Sequence, residues 1–170
     1  MNKYLLLTVV AGGVIIFDQT TKYAVQHMMA LYDYIELIPG FFSLTYIQNP
    51  GAAFGLFGKT TEILVWLNID RSTFLIGISL FALIVLFFMY ARLTEKDILT
   101  HFSIGMIIGG AIGNLIDRVR LHWVIDFLDF QLRGHHWPTF NLADSAITIG
   151  AIILMFNILF FKKEGIINTQ

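Results

Sequence analysis

The chain has 170 residues, 56% of them hydrophobic and only 14% charged, with a formal net charge of −1. Soluble domains carry about 25% charged residues, so this composition excludes an ordinary water-soluble globule and points to an integral membrane protein. No basic stripe is available to neutralise phosphates, which excludes nucleic acid as a partner, and the absence of cysteine excludes disulfides and thiolate chemistry.

The first apolar run, about residues 4–24, is long enough to cross a hydrocarbon core of about 30 Å as a helix. Lys3 ahead of it also fits a cleaved signal peptide. Against that, Asp18-Gln19-Thr20-Thr21-Lys22 stands where a small-residue cleavage site belongs, so a retained span is expected. Ionisable groups at membrane depth are costly and mark functional positions. Asp18 and Lys22 stand i,i+4, which admits two readings: an internal ion pair, or a part in positioning substrate.

Residues 35–58 read as a small external β-rich unit, in which the β-prone piece Phe41-Phe42-Ser43-Leu44-Thr45-Tyr46-Ile47 precedes an Asn49-Pro50-Gly51 turn. Glu62 to Asp70, with Trp66, reads as a short amphipathic stretch in the interface. A second span covers about 74–90 without a charge, and a third about 98–116. On the third, Gly105, Gly109 and Gly113 form a small-residue stripe that admits another helix closely. Asn114, Asp117 and Arg118 close it. Asp117 and Arg118 are neighbours on different helix faces, so each needs a partner elsewhere; Arg118 can hold a lipid phosphate or a substrate carbonyl, or neutralise Asp18.

An external loop, about 119–140, carries aromatic residues suited to the headgroup zone, with Asp126 in an apolar setting and Asp129 as a surface group. The fourth span, about 142–161, opens with Asn141-Leu142-Ala143-Asp144, an N-cap followed by an acid at the third helical position. Lys and Arg are densest at the N-terminus, in Arg92 to Asp97 and at Lys162-Lys163, so both termini are expected on the cytoplasmic side. Asp18, Asp117 and Asp144 then share the outer face. The inner halves of the helices read as apolar, with ordinary snorkelling cations.

Two readings of different class follow. Asp144 alone merely complements a helix dipole. If the loop folds back to bring Asp126 to it, two carboxylates in a poorly solvated site share a proton, one accepting a proton from water while the other polarises a carbonyl. That is an aspartyl peptide hydrolase, which requires neither metal nor cofactor. Adjacent His135 and His136 are poorly spaced for a metal face, and Ser145 has no partner base in view. The alternative is a proton-coupled or ion-conducting membrane protein, whose relay requires polar groups through the full thickness.

Five pieces occur in order along nearly the whole chain: Phe17-Asp18-Gln19-Thr20-Thr21-Lys22, Asn49-Pro50-Gly51-Ala52-Ala53-Phe54, Gly109-Gly110-Ala111-Ile112-Gly113-Asn114-Leu115-Ile116-Asp117-Arg118, Val124-Ile125-Asp126-Phe127 and Phe140-Asn141-Leu142-Ala143-Asp144-Ser145. Together they resemble the bacterial lipoprotein signal peptidase (signal peptidase II) family. The resemblance implies one integral membrane peptidase domain over residues 1–170. Its fold would be an all-α membrane protein with four transmembrane helices, a small periplasmic β-rich unit, and a periplasmic loop or helix over the active site. It implies Asp126 and Asp144 as the catalytic dyad, with Asp18, Lys22, Asn49, Gly51, Asn114, Arg118, Asn141 and Ala143 binding substrate or supporting the site. The implied substrate is a prolipoprotein whose cysteine bears diacylglycerol, cut just before that cysteine at the periplasmic face of the inner membrane. Membrane lipids and globomycin-type cyclic peptides are the other implied partners, and the enzyme would be a monomer. The segment 59–72 is longer than the family pattern leads one to expect, which leaves its part in gating open.

Overall fold

Four apolar runs become four helices, and described segments after the first and the third of them form one sheet. The computed structural model describes residues 2–51, 70–93 and 98–160. In chain order these hold α1 (Lys3–Met28), β1 (Tyr34–Ile38), β2 (Phe42–Asn49), α2 (Arg71–Ala91), α3 (Ile98–Leu121), β3 (Val124–Leu132), β4 (His135–His136) and α4 (Leu142–Phe160). All four helices are long and apolar enough to cross a membrane. Phe81, Ile84 and Phe88 of α2 and Ile152, Met155 and Phe160 of α4 stand exposed, an apolar surface suited to the hydrocarbon of a membrane.

Three helices outrun their apolar segments. α1 continues to Met28 and α3 to Leu121 because the polar residues in those last turns find partners within the protein and need no lipid-compatible surface. α2 begins early because the Asp70 side chain caps it, accepting the Thr73 N–H at 2.9 Å. The amphipathic stretch with Trp66, the segment 59–69 and Lys162-Lys163 lie outside the described residues.

α3 runs through the middle of the bundle, against α1, α2 and α4. Lipid tails are as apolar as leucine, so helices in a membrane associate through close packing more than through hydrophobic burial. The glycine stripe supplies that contact. A Cβ at Gly109 would lie 2.8 Å from the Cβ of Val14 on α1, and one at Gly113 would lie 2.6 Å from Asp18 Oδ2. On the opposite flank Gly110 abuts the carbonyl of Ala143 on α4.

The segment 119–140 is a correction to the sequence reading, which made it a loop. It holds β3 and β4, which join β1 and β2 in a four-stranded antiparallel sheet of order β1-β2-β3-β4. Alternation in β3 was obscured because both faces are covered. Ile125 and Phe127 pack with Val25 and Met29 at the end of α1, while Asp126 turns the other way. Asp129 is likewise no surface group: it is 5% exposed and pairs with His136 Nδ1 at 2.9 Å.

The bundle end away from the sheet is not purely apolar, contrary to expectation. Lys3 Nζ donates to the carbonyls of Ala91 at 3.0 Å and Leu93 at 2.7 Å, satisfying the C-terminus of α2. The Tyr90 hydroxyl donates to the Lys3 carbonyl, and Asn157 Nδ2 to Thr100 Oγ1 at 2.8 Å. Between this cluster and Asn114, α3 presents Ile104 to Gly113 with no polar side chain, about 15 Å along the axis. Over that stretch α3 offers a proton relay no side chain.

Candidate active site

The sheet-bearing end of the bundle holds a buried ion cluster. Lys22 Nζ lies 2.9 Å from Asp18 Oδ2 and 2.9 Å from Asp117 Oδ2, and donates to Asn114 Oδ1 at 3.0 Å. All three charged side chains are at most 2% exposed. Burying two acids with one cation is costly unless the spare lone pairs are satisfied, and here they are. Gln19 Nε2 donates to Asp117 Oδ1 at 2.9 Å and Asp18 Oδ2 at 3.2 Å. Backbone N–H groups complete the shell: Ala143 donates to Asp18 Oδ1 at 2.9 Å and Ile125 to Asp117 Oδ2 at 3.2 Å. Asp18 and Lys22 form the ion pair that their spacing admits, and Lys22, not Arg118, neutralises Asp18.

Asp126 and Asp144 arrive from opposite directions. β3 pairs with β2 so that Asp126 opposes Ile47 and Val124 opposes Asn49; Asn49 is therefore the diagonal same-face neighbour of Asp126, and its Nδ2 donates to Asp126 Oδ2 at 2.8 Å. The chain after β4 returns along β3, where Phe140 and Leu128 exchange backbone hydrogen bonds of 2.8 and 3.1 Å. That return delivers the N-terminus of α4 beside β3. Asn141 caps the helix through its Oδ1, which accepts the Asp144 N–H at 2.9 Å, while the Asn141 N–H donates to Asp144 Oδ2 at 3.3 Å.

The two amides then stitch the acids together. Asn141 Nδ2 donates to Asp126 Oδ1 at 2.7 Å and reaches Asn114 Oδ1 at 3.2 Å, and Asn114 Nδ2 donates to Asp144 Oδ1 at 2.7 Å. Both acids line one cavity of about 620 Å³, with Arg118 of α3 and Ser145, Thr148 and Ile149 of α4 on its walls. Burial pushes the Asp126 carboxyl up to about 7; the nearby Asp144 charge adds to this, and the Asn49 and Asn141 hydrogen bonds oppose it. Arg118 feels the charges of Asp144 and Asp126, yet its guanidinium makes no hydrogen bond or ion pair among the described residues. It is a cation facing the cavity with donors to spare.

Gly51 lines the same cavity at φ +91°, a backbone conformation suited to glycine, and its N–H donates to Asn49 Oδ1 at 2.9 Å. Ala143 is fully buried where α3 and α4 touch, so it supports the site through its backbone. The structure thus gathers all ten residues singled out from sequence around one end of the bundle. Sequence reasoning missed Gln19 and gave Asp117 no role. The signal existed: Gln19 adjoins Asp18, and Asn114, Asp117 and Arg118 share the i,i+3 and i,i+4 spacing that puts polar groups on adjoining faces of one helix turn.

Two coupled carboxylates, one holding a proton near neutrality, with a loose guanidinium above a partly apolar cavity, can activate water and polarise a peptide carbonyl. A family model described as signal peptidase (SPase) II matches residues 10–160 of this chain. The chain is 41% identical over 157 residues to a lipoprotein signal peptidase of Desulforapulum autotrophicum, covering 92% of this chain and 93% of that protein. It is 38% identical over 164 residues to one of Maridesulfovibrio salexigens, covering 96% and 100%. Among solved structures it is similar to a bacterial membrane enzyme determined by the in meso method at 2.3 Å resolution, with TM-score 0.80, 32% identity, and coverage of 96% of this chain and 93% of that one.

Proposed function

The chain belongs to the signal peptidase II family, membrane peptidases that remove signal peptides from lipoproteins, and we propose that Asp126 and Asp144 perform the hydrolysis in it. The observation that carries this reading is the convergence of two carboxylates on one cavity, joined through Asn141 and Asn114. Asp144, at the positive end of α4, accepts a proton from water as the water oxygen attacks the scissile carbonyl carbon. Asp126 gives its proton to the carbonyl oxygen, forming a gem-diol. Asp144 then returns its proton to the amide nitrogen as the C–N bond breaks, and Asp126 recovers a proton from the diol as the new carboxyl forms. Arg118 steadies the developing charge or the substrate backbone.

The substrate is a prolipoprotein carrying diacylglycerol on the cysteine after the scissile bond. A groove between α1 and α4, lined by Gly13 and Phe17 on one side, shares Ser145 and Ile149 with the cavity and offers acyl chains a path from lipid to the site. A globomycin-type cyclic peptide would compete for the same cavity. The density of basic residues orients both termini to the cytoplasm and the cavity to the periplasmic face of the inner membrane, with the protein acting as a monomer. The test is turnover by purified protein of a diacylglyceryl precursor peptide and of its unlipidated twin. Cleavage of the lipidated peptide alone supports the reading, and equal turnover of both would refute it.

A further inference from the structure

We infer that Lys22, Asp18 and Asp117 form a positioning staple that sets the separation of the two acids, each carboxylate gripping the backbone amide immediately before one member of the dyad. The inference rests on the dyad reading above and deepens it. Asp18 Oδ1 holds the N–H of Ala143, the residue before Asp144, at 2.9 Å. Asp117 Oδ2 holds the N–H of Ile125, the residue before Asp126, at 3.2 Å. Lys22 Nζ lies 2.9 Å from each carboxylate, and Gln19 Nε2 bridges the same two at 3.2 and 2.9 Å.

Asn141 joins α4 and β3 from the cavity side, donating to Asp126 Oδ1 at 2.7 Å and to the Ile125 carbonyl at 3.3 Å, and the staple joins them from behind. The two elements belong to different layers, and a one-residue shift of either would turn its acid away from the cavity. The staple converts that shared placement into rigid ion geometry at the base of both elements. Its members do not line the cavity, so they act through the acids. A dyad depends on separation: the coupling that lets one proton serve two carboxylates weakens as they part. Geometric error of about 1 Å at such a site costs on the order of 10²-fold in rate.

Removal of Asp117 leaves Lys22 and Asp18 as a neutral pair, so Asp117→Ala is tolerated better than removal of the lysine. Asp117→Asn keeps an oxygen to accept the Ile125 N–H. The groups facing Asp126 are Asp144 of α4 and its cap Asn141, Arg118 of α3, Asn49 of β2 and, farther off, Lys22 of α1; none of them is altered in these variants. The experiment measures kcat, KM and the pH profile of kcat for lipidated precursor cleavage, with melting temperature in parallel, for Asp117→Ala, Asp117→Asn and Asp126→Asn. Asp117→Ala should lose about 10²-fold in kcat with KM little changed and the pH profile displaced, and Asp117→Asn should recover most of the loss. If Asp117→Ala lowers only the melting temperature, leaving kcat and its pH profile as in the unsubstituted protein, the staple is merely structural and the inference is overturned. Retained turnover in Asp126→Asn would instead overturn the dyad reading, and this inference with it.

Discussion

At the bundle end away from the sheet, buried Lys3 and Tyr90 bond to each other and Lys3 to the carbonyls of Ala91 and Leu93 at the end of α2, while Asn157 bonds to Thr100. At the sheet-bearing end, a second buried lysine gathers two carboxylates and an asparagine, and beyond it Asp126, Asp144 and Arg118 open onto a cavity of about 620 Å³. Both ends bury polar groups in a membrane protein, yet they differ in what those groups have left over. Lys3 does what any helix C-terminus requires, donating to carbonyls that have no intrahelical partner. The other end carries one acid whose burial holds a proton near neutrality and one guanidinium without a partner among the described residues. Burial of a polar side chain is therefore a poor sign of chemistry. Unspent charge beside a cavity is a better one.

That contrast can be broken most directly at the acids. Asp126→Asn and Asp144→Asn each should lower turnover of a lipidated precursor by at least about 10³-fold with melting temperature held, since asparagine keeps the shape. Turnover within about tenfold of the unsubstituted protein in either variant would put the chemistry elsewhere.

The two lysines give the next comparison. Lys22→Met should cost about 3–5 kcal/mol, because it leaves Asp18 and Asp117 buried without their cation. Lys3→Met should cost about 1.5–3 kcal/mol, the worth of charge-assisted hydrogen bonds to carbonyls, and leave kcat unchanged. Unfolding measured in one detergent should rank them in that order, and the reverse ranking would show the ion cluster to be less integral than the helix cap.

The smallest expected effect is in pH dependence. With the Asp126 carboxyl pushed up to about 7 and acting as the acid, kcat/KM should fall about tenfold per pH unit above that value. Asn49→Leu removes a hydrogen bond that favours the ionised form, so it should move this limb upward. A limb that stays put would deny Asn49 its influence. Stability follows the same proton. Unfolding returns the carboxyl to about 3.9, so between about pH 4 and 7 the folded state holds a proton the unfolded chain has lost. The stabilising contribution is whole at the acid edge of that window and declines as pH rises through it.

Much of this was readable in the chain before any coordinates. The four spans follow from apolar length, and the Asn141-to-Asp144 cap from its spacing, since both depend on neighbours a few residues apart. β3 was not readable: its residues Val124 to Phe127 are all buried, so the period-two alternation that announces a half-exposed strand is missing. Asp129 as a surface group and the inner helix halves as apolar were misread for a related reason, because a polar side chain gives no sign of burial until its distant partner is known. Asp117 carried no visible role, since its partners lie on α1 and β3.

Residue types and their short-range spacing determined that this chain spans a membrane, where its helices run, and that its acids crowd toward one end. Those properties depend on transfer of side chains from water and on local geometry, both of which are written in sequence. Tertiary structure alone decided that the returning segment after β4 pairs Phe140 with Leu128 and so sets Asp126 against the cap of α4. It also decided that one lysine serves two acids. Such choices rest on long-range packing and on the cost of leaving a buried charge unmatched, and no window of neighbouring residues contains them.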